Sequence, residues 1–379
     1  MSETTIIITT INVPTFIDGI CENIRKHEHS GVNILVIGDK KTPAETASYC
    51  RTTEKKYGIG VEYLSIEDQL KVLAEYPDLL KLFPYNTPDR TILGGMLSYI
   101  RGSRRIIAVD DDNYTTAHDF VGFHSIVGTE AKLNLVSNDL QWFNVHSALI
   151  EQNNIPFYPR GYPWKQRRPE ASLKTVVEKT VRVVVNQGLV LGDPDIDAIS
   201  RLFWPITAVD MASDIDPQFG LLPGTWSPFN YQNTALARDL IPCYYRPLST
   251  MRNADIWTAY VFNKLAQHMG HVLTFGQPLV KQVRNVHDLW DDLDIELVNN
   301  RATDHFAALL RKVDLREGSY FSALKELLSK CQAELEQIGA IPSAEKDMIR
   351  RFFVEYGTWC KVVDPIVQTQ TRDAQQKGD

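Results

Sequence analysis

The sequence predicts an α/β fold in which a parallel sheet carries helices on both faces. Three observations predict it. Apolar, β-branched runs alternate with segments of helical spacing through the first third of the chain. Those runs are apolar along their whole length, as strands covered on both faces are. Polar clusters follow the runs directly, at the strand ends where open α/β sheets bind ligands.

The elements follow in order. TIIITTI (5–11) reads as a buried strand, ended by Asn12 and Pro14, and FIDGICENIRKH follows with helical spacing at Phe16, Ile20 and Ile24. VNILVIGD (32–39) is a second strand, closed by GDKKTP. The next helix is expected to start with Thr42 as cap and Pro43 at its first position. VEYLS is a third strand, TILGGMLSYIRGS (91–103) a helix, and RRIIAVDDD a fourth strand running into Asp110, Asp111 and Asp112. Residues 150–300 are rich in Pro, Gly, Trp and Tyr and read as loops between short strands, material for a pocket wall. From about 302 the pattern turns helical. Phe321, Leu324, Leu328, Cys331 and Leu335 mark one helix, and Ile349, Phe352, Phe353, Tyr356 and Trp359 mark another over 344–362. This divides the chain into an α/β domain (1–300), a helical extension (301–365) and a polar tail (366–379) expected to be disordered. The apolar stripes of the extension suit packing on the α/β domain or a homodimer contact.

Composition narrows the function. The 379 residues hold 40 Lys plus Arg against 47 Asp plus Glu, a net charge of −7 that argues against a nucleic-acid partner. No apolar run has the length of a membrane span. The cysteines (Cys21, Cys50, Cys243, Cys331, Cys360) are scattered without metal-site spacing, which predicts reduced thiols in a cytoplasm.

The aspartate cluster carries the chemistry. Side chains alternate along a strand, so Asp110 and Asp112 are expected to share a face and to reach one divalent cation. Hard carboxylate oxygens suit Mg²⁺ or Mn²⁺, and Mg²⁺ commonly takes one or two carboxylates plus substrate phosphates. The expected ligand is therefore a diphosphate bridged through metal at a DxD motif. A solvated turn with capping aspartates is the plainer alternative.

Nine blocks stand in order: TTIN, VIGDKKTP, PYNTPDR, VDDDN, PRGYPW, GDPDIDAISRL, PFNYQNTA, DIWTAY and QVRNVHD. Over about residues 4–300 this resembles the STELLO-type glycosyltransferases of GT-A (Rossmann-like) fold, and more distantly the reversibly glycosylated polypeptides, the UDP-arabinopyranose mutases. The resemblance implies a nucleotide-diphospho-sugar transferase fold and a metal-dependent glycosyltransferase. Its donor would be a nucleoside-diphosphate sugar with uracil as base. Its acceptor would be a glycan, a lipid-linked carrier or a small molecule.

The resemblance also places residues. Asp110 and Asp112 match the metal site, with Asp111 at the diphosphate. Thr10, Asn12 and Asp39 stand where such enzymes hold base and ribose, though Asp39 equally suits a strand-end turn. Asn86 and Arg90 match a sugar-nucleotide wall, Arg90 forking onto phosphate or else lying on the surface at a helix start. Arg160 takes the place of the arginine of the mutases' similar RGYPF motif, the one that is reversibly glycosylated. A charge-neutralising role beside the diphosphate suits a guanidinium better than a nucleophilic one.

Asp193, Asp195 and Asp197 match a P-D-x-D-A block and suit sugar hydroxyls or base work, or a turn with caps. Asp255 matches the acidic residue that takes the acceptor proton in inverting enzymes, or caps a helix. His287 is the expected third metal ligand, although the mutase histidine falls nearer Gln282. Arg284, and less so Lys281, suit phosphate. Asn233 belongs to a group with Trp226, Phe229, Asn230 and Gln232 that suits a sugar ring or a packed loop. Two rival functions remain: a sugar-nucleotide mutase interconverting pyranose and furanose forms, favoured by PRGYPW and PDIDA, and a non-catalytic scaffold of a glycan-synthesis complex.

Overall fold

The computed structural model describes residues 3–138, 140–167, 175–284 and 288–378. Its strands are β1 (Thr4–Thr9), β2 (Val32–Ile37), β3 (Gly60–Leu64), β4 (Arg105–Val109), β5 (Asn113–Thr115), β6 (Glu130–Ser137), β7 (Leu149–Glu151), β8 (Thr175–Gly192), β9 (Ala208–Met211), β10 (Gln218–Leu221), β11 (Asn233–Ala237) and β12 (Val272–Gln282). The helices are α1 (Ile17–Lys26), α2 (Thr46–Tyr57), α3 (Ile66–Val72), α4 (Pro77–Lys81), α5 (Thr91–Ile100), α6 (Phe120–His124), α7 (Ala198–Phe203), α8 (Ala254–His268), α9 (Leu289–Lys312), α10 (Tyr320–Gln337) and α11 (Ser343–Gly378).

The first third folds as its pattern predicts. Strands pair in parallel in the order β3-β2-β1-β4, with Ile8 opposite Val109 and Thr9 opposite Ile37. Ile6, Ile7 and Ile8 are wholly buried, so successive side chains on both faces of β1 are covered, which a continuous apolar run requires. This register brings the carboxyl ends of β1, β2 and β4 to one edge of the sheet. A parallel pair needs a long crossover, here supplied by helices such as α1 and α2.

The sheet then becomes mixed. β11 runs antiparallel to β4 and to β8. The 18 residues of β8 serve two partners along one edge: Thr175–Arg182 pair with β6, and Val183–Gly192 with β12. Residues 150–300 are thus not only short strands and loops. Polar positions such as Lys179 and Arg182 hide β8 from a periodicity reading, although its later half, Val183 to Val190, is deeply buried.

Two other local expectations fail. The second helix begins at Thr46, and Thr42 instead donates its hydroxyl to the Thr10 carbonyl (2.6 Å) and accepts from Asp39 N–H (2.7 Å). Thr42 is therefore occupied with joining two strand ends. The expected disordered tail is helix: α11 continues past Pro365 to Gly378, with Gln370 held by Arg238 at 2.9 Å. Propagating a formed helix needs far less than starting one, so polar residues can prolong a packed segment.

The C-terminal helices pack on the chain's own sheet domain, which accounts for their apolar stripes. Trp257 of α8 stacks on Phe306 of α9 (centroids 4.3 Å) and donates to Thr303 Oγ1 at 3.0 Å. Trp359 of α11 stacks on Tyr245 (5.0 Å) and donates to the Pro242 carbonyl at 2.8 Å. All five cysteines are buried and free. Among the described residues no helix is long and apolar enough to cross a membrane.

Candidate active site

The site lies beyond the carboxyl ends of β1 and β4. Asp110, Asp111 and Asp112 all line a cleft of about 480 Å³ together with Arg160, Asp195 and Asp255. The aspartates do not continue the strand. β4 stops at Val109, and Asn113 N–H donates to the Asp110 carbonyl at 3.3 Å, closing a turn that leads into β5. Strand alternation therefore does not govern their directions; the turn aims all three into the cleft.

Each aspartate has its own surroundings. Asp111 Oδ2 accepts from Thr10 Oγ1 at 2.8 Å, which locks it to the end of β1. Asp112 Oδ2 accepts from Gln282 Nε2 at 2.9 Å, at the end of β12. Asp112 Oδ1 is buried without a hydrogen-bond partner among the described residues. Asp110 opens to the cleft, yet crowding by protein and the like charge of Asp112 push its carboxyl up to about 7. Burial also raises Asp112, against the opposing bond from Gln282.

Among the described residues no group of three His, Cys, Asp or Glu side chains is arranged to hold a metal. Two carboxylates nevertheless fit a hard cation that completes its shell with diphosphate and water. The orphaned Asp112 Oδ1 is an acceptor that such a cation would satisfy. His287, the expected third ligand, lies outside the described residues.

A charged knot closes the other side of the cleft. Arg160 Nε donates to Asp195 Oδ1 at 2.9 Å and Nη2 to Oδ2 at 2.8 Å, and the same guanidinium reaches Asp255 Oδ2 at 3.3 Å. Burial alone would raise the Asp195 carboxyl and lower the Arg160 guanidinium. Their mutual attraction outweighs it, holding Asp195 far below and Arg160 far above their usual ranges. Asn230 Nδ2 adds a bond to Asp195 Oδ2 at 2.9 Å. Asp255 sits in the first turn of α8 behind Asn253, the residue that occupies the cap position.

Other expected residues sit elsewhere. Asp39 Oδ2 accepts from the Asn86 and Thr87 N–H groups at 2.6 and 3.3 Å, and Oδ1 from Lys40 N–H at 2.7 Å, which pins the 86–87 turn. Asn86 holds a left-handed backbone (φ 58°) and is exposed. Arg90 is not on the surface. It is 2% exposed, donates to the Phe83 carbonyl (3.3 Å) and Gln69, and so holds the loop before α5. Asn12 is exposed, and its N–H donates to Thr10 Oγ1 at 2.9 Å. Asp193 pairs with Arg201 and, at 2.9 Å, with Arg284, which lines the cleft. Asp197 caps α7 through the Ser200 N–H (2.8 Å) and pairs with Arg167. Asn233 is wholly buried in the sheet, where its Oδ1 meets His124 Nε2 at 3.1 Å.

Among the described cleft residues, two arginines escaped the sequence reading, Arg246 and Arg252. Arg246 pairs with Asp89 at 3.1 Å; Arg252 pairs with Asp292 at 3.1 Å and Glu296 at 2.8 Å. Arg246 precedes a 3₁₀ segment, Leu248–Asn253, and Arg252 lies within it, in a stretch without motif. Only their chain proximity to Asp255 could have flagged them.

Neither a protein-family model nor a curated protein matches the chain. Solved structures do resemble it. Glucosyl-3-phosphoglycerate synthase from Mycobacterium tuberculosis, with Mn²⁺ and UDP-glucose, is 9% identical with a TM-score of 0.40, covering 79% of this chain and 77% of its own. The mannosyltransferase PcManGT from Pyrobaculum calidifontis, with GDP-Man and Mn²⁺, is 11% identical at 0.35, covering 98% and 87%. S. aureus TarS 1–349 with UDP-GlcNAc is 11% identical at 0.35, covering 96% and 92%. At these values the likeness transfers no residue role to this chain.

Proposed function

We propose that the chain is a metal-dependent glycosyltransferase of GT-A-like architecture that takes a UDP-sugar donor. One observation carries the reading: three adjacent aspartates turn into a single cleft at the carboxyl edge of a parallel sheet, with Asp112 Oδ1 lacking a hydrogen-bond partner among the described residues. Three crowded carboxylates call for a cation, and a diphosphate is the ligand such a cation would bridge. Asp110 and Asp112 would hold Mn²⁺ or Mg²⁺, with Gln282 orienting Asp112. When bound, that cation supplies Lewis-acid stabilisation of charge on the departing diphosphate.

The remaining roles fall to the charged knot. Asp195 is too strongly stabilised as an anion to accept a proton. Asp255, held by Arg160 at the longer distances of 3.3–3.5 Å, is the better general base toward an acceptor hydroxyl. Arg160 then acts by positioning the two carboxylates, with its guanidinium kept charged between them. Arg246 and Arg284 line the same cleft and suit the phosphate oxygens.

A thermal-shift panel of nucleotides and nucleotide sugars tests the reading. UDP and at least one UDP-sugar should raise the melting temperature only when Mn²⁺ or Mg²⁺ is present. A chain that no nucleotide stabilises, or that one stabilises equally in chelator, is not this enzyme.

A further inference from the structure

A second cavity, of about 370 Å³, lies on the other side of the Tyr158–Tyr162 segment from the cleft. Arg160 of that segment lines the cleft, while Tyr158 and Tyr162 line the cavity. Its opposite wall comes from the 3₁₀ turn Val145–Ala148, which carries His146, and from β7. The volume falls at the small end of the roughly 300–1,000 Å³ range of ligand pockets.

The lining selects a class of ligand. Among the described residues it contains no Lys or Arg, so none of them pairs with a phosphate or carboxylate. The one acid among its described residues, Glu151, already accepts from Asn153 N–H at 2.6 Å and Ile155 N–H at 2.9 Å. What remains is aromatic and neutral polar, Phe157, Tyr158, Asn144 and His146 among them, together with aliphatic Leu149 and Ile155. His146 is 7% exposed, and its Nδ1 has no hydrogen-bond partner among the described residues. Burial lowers its imidazole to about 4, so near neutral pH it is uncharged and both donates and accepts. Ring faces beside neutral donors and acceptors match the C–H patches and hydroxyls of a sugar. The four arginines of the neighbouring cleft match the opposite kind of group.

The geometry points to a carbohydrate subsite in this cavity that holds a neutral, non-reacting sugar unit of a glycan acceptor. The assignment rests on the transferase reading for the word acceptor, and on the cavity alone for the sugar. It narrows the acceptor from any hydroxyl compound to an oligosaccharide with at least one uncharged unit. The shared wall at Arg160 would also let occupancy of the cavity be felt at Asp195 and Asp255.

Saturation-transfer NMR on the full chain tests it. The probes are methyl glycosides and disaccharides of neutral hexoses, pentoses and N-acetylhexosamines, with glucose 1-phosphate and glucuronate as charged counterparts. At least one neutral probe should bind, and the charged ones no better. Ser147→Trp places a bulky ring at an exposed position of the cavity wall, and His146→Phe keeps a ring against Phe157 while removing both nitrogens. Both variants should weaken that binding tenfold or more at unchanged circular dichroism. No neutral probe binding to the wild type, or binding unaltered in both variants, overturns the subsite. A wild type that binds neutral sugar but no nucleotide with Mn²⁺ keeps the subsite and loses the transferase reading. The reverse result keeps the transferase and loses the subsite.

Discussion

Arg160 and Asp195 meet in a two-point fork, Nε to Oδ1 at 2.9 Å and Nη2 to Oδ2 at 2.8 Å, each side chain 9% exposed. A buried pair of this kind is costly to break from one side, because the surviving charge stays buried without a counterion. Here the loss is compounded, since Arg160→Ala would strand both Asp195 and Asp255. The variant should lose about 3–5 kcal/mol of stability in urea unfolding. Replacing the pair together, as Arg160→Met with Asp195→Leu, should cost less than Arg160→Ala alone. Equal losses would mean that the fork is not the source of the effect.

The aspartate turn gives a second expectation. Asp112→Ala and Asp110→Asn should each abolish the Mn²⁺-dependent thermal shift by UDP while the apo protein melts at or above the wild-type temperature. The reason is that each removes one of the mutually repelling carboxylates whose pKa values the site raises. Cation and proton compete for Asp110, whose carboxyl is pushed up to about 7. Apparent Mn²⁺ affinity should therefore fall as pH drops below about 7, by up to tenfold per unit, and level off above it. Calorimetric titration across pH 5.5–8 reads this directly, and an affinity flat over that span contradicts it.

The sequence makes the first half of the sheet and the edge that carries Asp110 legible because β1, β2 and β4 are covered on both faces and read as unbroken apolar runs. The knot of Arg160, Asp195 and Asp255 is legible as three motif residues, though not as one cluster, since their separations of 35 and 95 positions are closed only by the fold. Arg90 and Asn233 mislead for a related reason: a polar residue near a strand end or helix start gives no sign whether it faces ligand or plugs a buried gap. Burial of 98–100% decides for the gap in both cases.

His124 contributes a pH dependence to folding, alongside His146, which burial likewise lowers to about 4. His124 is wholly buried on α6, with Nε2 3.1 Å from Asn233 Oδ1 and Nδ1 3.1 Å from Asn186 Nδ2. Asn186 is oriented by Thr274 Oγ1, which donates to its Oδ1 at 2.7 Å, so its Nδ2 donates to an unprotonated Nδ1. A protonated ring would set two donors face to face. Burial accordingly lowers the imidazole to about 4. The unfolded chain takes up this proton near 6.5 and the folded chain does not, so stability is full above about 6.5 and declines as pH falls toward 4. The decline is about 3 kcal/mol from this residue. Urea unfolding at pH 7, 5.5 and 4.5 should show it for the wild type, and His124→Gln should have a shallower dependence. Equal slopes would assign the acid sensitivity elsewhere.

Gly161 shows why the RGYPW motif needs its glycine. Its backbone is left-handed (φ +72°), and a Cβ there would stand 2.3 Å from Ile256 Cγ2 on α8. The Gly161 carbonyl also accepts from Tyr260 Oη at 2.7 Å, so the loop carrying Arg160 is pressed onto the helix carrying Asp255. Gly161→Ala should therefore cost about 1–2 kcal/mol for the backbone and about 1–3 kcal/mol for overpacking, and should weaken the grip of Arg160 on Asp255. The two contributions separate by rescue. Adding Ile256→Ala makes room for the methyl but leaves the left-handed strain, so the double variant should lose less relative to Ile256→Ala than Gly161→Ala loses relative to wild type. If the losses are equal, the close approach to α8 is not what holds this loop, and the positioning of Asp255 by Arg160 has to arise from the carboxylates alone.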